Sequence, residues 1–206
     1  SNAFAQLGLN WSEMGPNDIA GRCRSILVDK TDATGNRMFA AGVSGGVFKS
    51  LNAGANWMPV NDQAKSLIVS SMAQNSAGMV YFGTGEAFGR GGDGAGASGF
   101  LGTGLYTISP TSSVGIVQDS SVFGDINEVA ISASNVIYVA GQKGFFYSTD
   151  GGVTFIEETI SSTGTLAAMD VKIATNGDIY YSAGAKTSST SAVYYSSGLF
   201  TFTAIT

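Results

Sequence analysis

Apolar and polar residues alternate along this chain in short runs, and the runs return as a set. One column recurs four times: Met38-Phe39-Ala40-Ala41-Gly42, Val80-Tyr81-Phe82-Gly83-Thr84, Ile137-Tyr138-Val139-Ala140-Gly141 and Ile179-Tyr180-Tyr181-Ser182-Ala183. Its aromatic member stands at 39, 81, 138 and 180, so the spacings are 42, 57 and 42 residues. An apolar run precedes each column, at Ile26 to Val28, Val69 to Met72, Val129 to Ile131 and Val171 to Ile173. A small residue and a bulky pair follow: Gly46-Val47-Phe48, Gly104-Leu105-Tyr106, Gly144-Phe145-Phe146 and Ala192-Val193-Tyr194. A fourth segment is readable at Trp57 to Val60, Phe155 to Glu158 and Phe200 to Ile205. Short β-branched and aromatic runs punctuated by Gly, Asn, Asp and Ser are strand-and-turn chemistry. Four strands repeated every 40–45 residues or so predict an all-β fold, a β-propeller of four-stranded antiparallel blades.

The predicted blades cover about 22–63, 66–119, 126–160 and 166–206, taking the roughly 40–45-residue blade as the unit. Residues 10–14, around Trp11, are expected to form a closing strand that pairs with a further blade, so the four blades are expected to belong to a larger propeller. The alternative is self-association through open propeller edges. Ser1-Asn2-Ala3 has the look of an expression-tag remnant and is set aside.

Composition narrows the classes. Charged residues make up only 12% of the 206, against 29 glycines, which is the balance of a turn-rich β protein rather than a helical or disordered one. A net charge of -5 offers no basic patch for phosphates, which argues against a nucleic-acid partner. No apolar stretch reaches the roughly 18 residues of a membrane span. With Cys23 alone, no internal disulfide can form, and the fold must rely on packing.

Two segments carry a turn motif. Ser148-Thr149-Asp150-Gly151-Gly152-Val153-Thr154-Phe155 fits the Asp-box pattern Ser-x-Asp-x-Gly-x-x-Trp with Phe at the end, and Ser50-Leu51-Asn52-Ala53-Gly54-Ala55-Asn56-Trp57 fits it with Asn for Asp. A short Asx side chain can bond the amides of a hairpin turn between third and fourth strands, with glycine at positive φ and the aromatic folded back as a plug. Ser50, Asn52, Gly54, Trp57, Ser148, Asp150, Gly152 and Phe155 are therefore expected to staple turns; catalysis or calcium ligation by Asp150 and Asn52 is the disfavoured alternative. Eroded versions stand at Thr107 to Val114 and Ser196 to Phe200.

Residues 11–57 resemble the opening of secreted bacterial BNR or Asp-box repeat proteins: Trp11 to Pro16, Gly21-Arg22-Cys23-Arg24, and Gly42 to Ser50. The similarity continues through Val60-Asn61-Asp62-Gln63 into Gly83-Thr84-Gly85-Glu86. Such proteins are similar to sortilin-type propellers and to the xyloglucanase group of glycoside hydrolases. The resemblance implies a secreted or cell-surface bacterial protein, and by itself no activity.

The chemistry-bearing residues do not complete a known active site. The chain has no histidine, which removes the commonest general base and zinc ligand. A glycosidase needs two facing carboxylates. Where the xyloglucanase group carries an aspartate before Gly-Gly, this chain has Ser44, and Glu86 and Asp170 are the first pair to check. Only Arg22, Arg24, Arg37 and Arg90 exist for a sialidase-like arginine clamp, and the Arg-Ile-Pro motif is missing. One of Arg22 and Arg24 is expected in a blade interface and the other in the central channel. Asp125-Ile126-Asn127-Glu128 is expected to lead into a strand rather than to hold calcium.

The run Glu86 to Phe100, inserted between the second and third strands of blade 2, is the other informative feature. Long loops on a rigid scaffold are where ligand sites concentrate. Glu86, Arg90 and Asp93 supply hydrogen-bonding groups and Phe88 and Phe100 supply surfaces for a sugar ring, so these five form the candidate ligand site. A glycine spacer pinned by its aromatics accounts for the same composition. Neither cofactor, metal nor catalytic residue is assigned. The function expected is an extracellular binding or scaffold propeller for a polysaccharide or protein at the cell surface. The alternative is an inactive or partial glycoside hydrolase of the Asp-box type. A thinner third class, propellers that escort photosynthetic membrane complexes, carries a basic surface not evident here.

Overall fold

A computed structural model of the chain describes residues 21–60, 65–86, 99–159, 166–184, 191–198 and 200–205. Blade 1 is β1 (Cys23–Val28), β2 (Met38–Gly42), β3 (Gly46–Ser50) and β4 (Met58–Pro59), and blade 2 is β5 (Val69–Gln74), β6 (Val80–Thr84), β7 (Gly104–Ile108) and β8 (Val114–Asp119). A one-turn helix, α1 (Ser120–Phe123), precedes blade 3, which is β9 (Ile126–Ile131), β10 (Ile137–Gly141), β11 (Gly144–Ser148) and β12 (Ile156–Glu158). Blade 4 is β13 (Ala168–Ile173), β14 (Ile179–Ala183), β15 (Ala192–Ser196) and β16 (Thr203–Ile205). Each blade is a separate antiparallel sheet in which the strands pair in sequence order. The fold is a β-propeller, and the four recurrent columns are its second strands, β2, β6, β10 and β14. The segment at 10–14 lies outside the described residues.

The first strands pack in succession, β1 on β5, β5 on β9 and β9 on β13, while β1 has no comparable packing on β13. The described blades thus stand side by side as an arc. Because side chains alternate across a strand, the columns of blades 2 and 3 send their aromatic to one neighbour and the residues flanking it to the other. Val80 and Phe82 pack with Phe39 and Val47 of blade 1. Tyr81, between them, packs with Ile126, Val129 and Val139 of blade 3. Tyr138 in turn meets Val171, Ile179 and Tyr181 of blade 4.

The core between blades 3 and 4 is a stack of rings. Phe145 lies 4.0 Å from Tyr181 at an interplanar angle of 6°. Tyr194 continues the stack at 4.9 Å, Tyr138 flanks Phe145 at 6.0 Å, and Phe202 closes it edge-on. The Tyr181 hydroxyl is buried there without a hydrogen-bond partner among the described residues. Burial, and after it the neighbouring Glu158 and Tyr194, drive its pKa upward.

At the lower end, where first strands end, polar side chains clip blade to blade. Asp29 is 2% exposed. It accepts from the Gln74 amide of blade 2 at 2.7 Å, from Thr31, and from the Arg37 guanidinium. Ser76 of blade 2 donates its amide to Asn135 of blade 3 at 2.8 Å. Burial works to raise the Asp29 pKa, yet the bonds from Thr31, Gln74 and Arg37 outweigh it and hold it at about 2.

Two outcomes follow for stability. Phe145→Ala should destabilise the protein by about 3–5 kcal/mol, as large-to-small core changes do. Tyr181→Phe, which keeps the ring and deletes only the unsatisfied hydroxyl, should leave stability equal or higher; urea denaturation checks both. A carboxylate whose pKa is depressed by folding stabilises the fold above its unfolded pKa and loses that contribution as pH falls through the folded value. Asp29→Asn should therefore be less stable than wild type at neutral pH, with the gap closing between about pH 4 and pH 2 in thermal melts.

Candidate functional site

The upper end is where the first strands begin and the second strands end. There one hydrogen bond repeats in every blade: the amide following the second strand donates to the carbonyl preceding the first. The pairs are Val43 to Arg22, Gly85 to Ile68, Gln142 to Asp125 and Gly184 to Ala167, at 2.8–3.1 Å. Just beyond it each first strand slips by one residue, so that Arg24, Ser70, Asn127 and Met169 occupy equivalent β-bulges. A bulged residue is unpaired in the ladder, which re-aims its side chain.

Two of the bulge residues, Arg24 and Asn127, reach toward the next blade. Arg24 Nη1 donates to Glu86 Oε1 at 3.0 Å, and Arg22 Nη2 donates to the same oxygen at 2.8 Å. Asn127 Nδ2 donates to the Ala168 carbonyl of blade 4 at 2.8 Å. Ser70 Oγ and Asn127 Oδ1 are buried without partners among the described residues. The expectation that Arg22 and Arg24 diverge is corrected here: both point at one carboxylate of blade 2. Residues two apart share a face of a strand, and the bulge at Arg24 does not part them. The pair sets two guanidiniums against one carboxylate. The Arg24 and Glu86 side chains are mostly covered, at 19% and 16% exposure, whereas Arg22 is 64% exposed.

The stems of the blade 2 insertion are tied down around Glu86. Its amide donates to the Phe100 carbonyl at 2.9 Å. Thr84 Oγ1 accepts from the amides of Thr103 and Gly104 and donates to the Gly104 carbonyl. Gly102 donates to Asp125 Oδ1 at 2.6 Å. Backbone approaches so closely here that a Cβ on Gly102 would sit 2.2 Å from the Thr84 carbonyl oxygen. Beyond these stems Phe100 and Leu101 stand 48% and 67% exposed. Of the five candidate ligand residues, Glu86 and Phe100 are thus brought together; Phe88, Arg90 and Asp93 lie outside the described residues.

A second charged group lines blades 3 and 4. Lys172 Nζ bonds Asp170 at 2.7 Å and Glu128 at 3.2 Å. Burial raises the Glu128 pKa against the pull of Lys172. Glu86 and Asp170, the pair singled out for glycosidase chemistry, belong to different ion-pair groups, and the carboxylate beside Asp170 is Glu128. Asp125, Asn127 and Glu128 bond three separate partners: Gly102, Ala168 and Lys172. Among the described residues no cluster of three His, Cys, Asp or Glu could hold a metal ion.

The turn motifs lie at the other end. Ser148 Oγ accepts the Gly152 amide and donates to Asp150, which accepts from the Thr154 amide and hydroxyl. Those bonds, led by the one from the Thr154 hydroxyl, depress the Asp150 pKa to about 2. Ser50 and Asn52 repeat the scheme toward Gly54 and Asn56. Phe155 packs edge-on against Phe123 at 4.9 Å. The eroded version expected at Thr107 to Val114 centres on Ser109, which bonds Thr111 and accepts the Ser113 amide at 2.9 Å.

Glu86→Gln keeps an amide oxygen as acceptor but should remove the negative charge that Arg22 and Arg24 share. A loss of about 1–2 kcal/mol is expected, together with faster amide exchange in β1; unchanged exchange there would show that the cluster does not fasten blade 1 to blade 2.

The chain matches no protein-family profile and no curated protein sequence. Solved structures do match. An ancestral GH74 enzyme superposes with a TM-score of 0.65 at 18% identity, over 89% of this chain and 25% of that one. The extracellular domain of a hybrid two-component system from B. thetaiotaomicron gives 0.61 at 12% identity, over 89% and 22%. YCF48 bound to a D1 peptide gives 0.59 at 12% identity, over 96% and 57%. The chain therefore spans a little over half of YCF48 and about a quarter of the other two. At these identities the likeness is one of fold: the chain is similar to β-propellers with different roles.

Proposed function

We propose that this chain is an extracellular bacterial binding or scaffold propeller, secreted or at the cell surface, that recognises a carbohydrate or protein partner through its upper-end loops. The observation that carries the reading is the Arg22–Arg24–Glu86 cluster beside exposed Phe100. It combines charged hydrogen-bond donors and an apolar ring on stems held by backbone bonds, and a rigidly supported polar group beside an aromatic surface is what orients a ligand. By sequence Phe88, Arg90 and Asp93 join the same site. Similarity to the extracellular domain of a hybrid two-component system is in keeping with export. Self-association belongs to the same proposal, through the outward face of blade 1, where Ile26 and Val28 are exposed. The turn residues Ser50, Asn52, Gly54, Trp57, Ser148, Asp150, Gly152 and Phe155 are proposed to serve stability alone.

One observation favours a second reading, part of a glycoside hydrolase: Glu128, whose pKa burial raises, bonds Lys172 beside Asp170, and a carboxyl with a raised pKa is what acid catalysis of glycoside cleavage uses. A panel of plant and bacterial cell-surface oligosaccharides decides between them. Binding without product release, weakened about tenfold or more by Phe100→Ala, is the expected result. Hydrolysis abolished by Glu128→Gln would instead establish the enzyme, and binding unaffected by Phe100→Ala would remove the upper end from the site.

A further inference from the structure

We propose that two copies of this chain close into one ring, with the outward face of blade 4 in each copy packed on the outward face of blade 1 in the other. This rests on the self-association included in the function proposed above and names its contact. The interfaces between the described blades share one register. On the side turned to the preceding blade, Val171, Tyr181 and Tyr194 form a row across blade 4 and are buried in the core shared with blade 3. The same row in blades 2 and 3, centred on Phe82 and Val139, is buried in the same way. In blade 1 its members are Ile26, Ala40 and Phe48, equally apolar, and none belongs to a core cluster among the described residues. Ile26 is 63% exposed where its counterpart Val171 is 1% exposed.

The other half of the interface stands unmatched at the opposite end of the arc. On the side turned to the following blade, Tyr138 and Phe145 of blade 3 enter the core shared with blade 4. Their counterparts in blade 4 are Tyr180 and Val193, which belong to no core cluster among the described residues. Val193 is 44% exposed where Phe145 is fully buried. Tyr195 adds its ring to that of Tyr180 at 5.1 Å. Lys172, paired across from Tyr180, holds its charge on Asp170 and Glu128 of its own copy, so the face brings no unpaired charge to a contact. Each end of the arc thus carries the half that the other end lacks, and within one copy β1 has no comparable packing on β13. A contact between unlike faces makes a ring when its rotation closes. Two copies bring the four described sheets to eight, within the roughly four to eight blades of known propellers, whereas three copies exceed that range. A contact of blade 1 with a second blade 1 would set two like faces together and leave blade 4 open.

Sedimentation velocity of the 206-residue chain tests this. A single species of two chains should form with a Kd of about 1 μM or tighter, as well-packed apolar interfaces give. Ile26→Asp and Val193→Asp alter opposite faces, and each should weaken association about a hundredfold or more by placing an unpaired charge in a closed contact. Both positions are exposed in the single chain, so far-UV circular dichroism of the variants should stay that of wild type, which separates loss of association from loss of the fold. Mixing the two variants should restore part of the association, because the blade 4 face of one and the blade 1 face of the other are both intact. A dimer that survives Val193→Asp but not Ile26→Asp, with no rescue on mixing, would overturn the ring in favour of a contact between like faces and leave self-association standing. Species that grow beyond two chains with concentration would overturn closure. A wild-type monomer at every concentration would overturn self-association itself, while the ligand-binding reading is decided separately by the Phe100→Ala titration.

Discussion

Burial between facing sheets is the interaction on which everything else here depends. A four-stranded sheet of short strands has two faces and no interior, so none of these blades can bury its own side chains. Each column resolves this by alternation, with Tyr81 turned to blade 3 while Val80 and Phe82 turn to blade 1. The same residues thus bind neighbours on both sides, and sequence repetition becomes spatial repetition. The low charge content follows from this as well, since the strands of the two middle blades away from the outer edge are largely buried.

Polar chemistry is confined to the two ends of the blades, and the ends differ. At the lower end Asp29 accepts from both Gln74 and Arg37, and the Ser50 and Ser148 turns close on themselves. At the upper end the bonds leave a remainder: an exposed guanidinium at Arg22, a raised carboxyl at Glu128, and the exposed Phe100 and Leu101 on a stem of the insertion. Saturated groups fasten a fold, and unsaturated ones have capacity for a partner. That asymmetry is the reason to seek recognition above and stability below.

The strands were legible because alternation is a local property with a two-residue period. Each predicted column coincides with an observed second strand, from Met38–Gly42 to Ile179–Ala183. The outer strands were less legible: β4 is only Met58–Pro59, and edge strands carry little burial to impose a pattern. The helix at Ser120–Phe123 escaped notice because a single turn has no period. It is visible only in its cap, where Asp119 accepts the Ser121 amide, and in fully buried Phe123. Of the candidate site, Glu86 and Phe100 came from composition and context, but the convergence of Arg22 and Arg24 on Glu86 joins residues more than 60 positions apart. No local signal encodes such a contact.

The bulge in each first strand has a consequence for how such a protein can change. It inserts one side chain per blade that answers to no cross-strand partner, immediately beside positions that are locked into the inter-blade packing. The four occupants, Arg24, Ser70, Asn127 and Met169, are a cation, a hydroxyl, an amide and a thioether. Such diversity at one architectural address indicates a tolerant position, where mutation can rewrite chemistry while the neighbouring residue preserves shape. The described blades thus carry one such setting each, with a different chemistry at the same place in the fold.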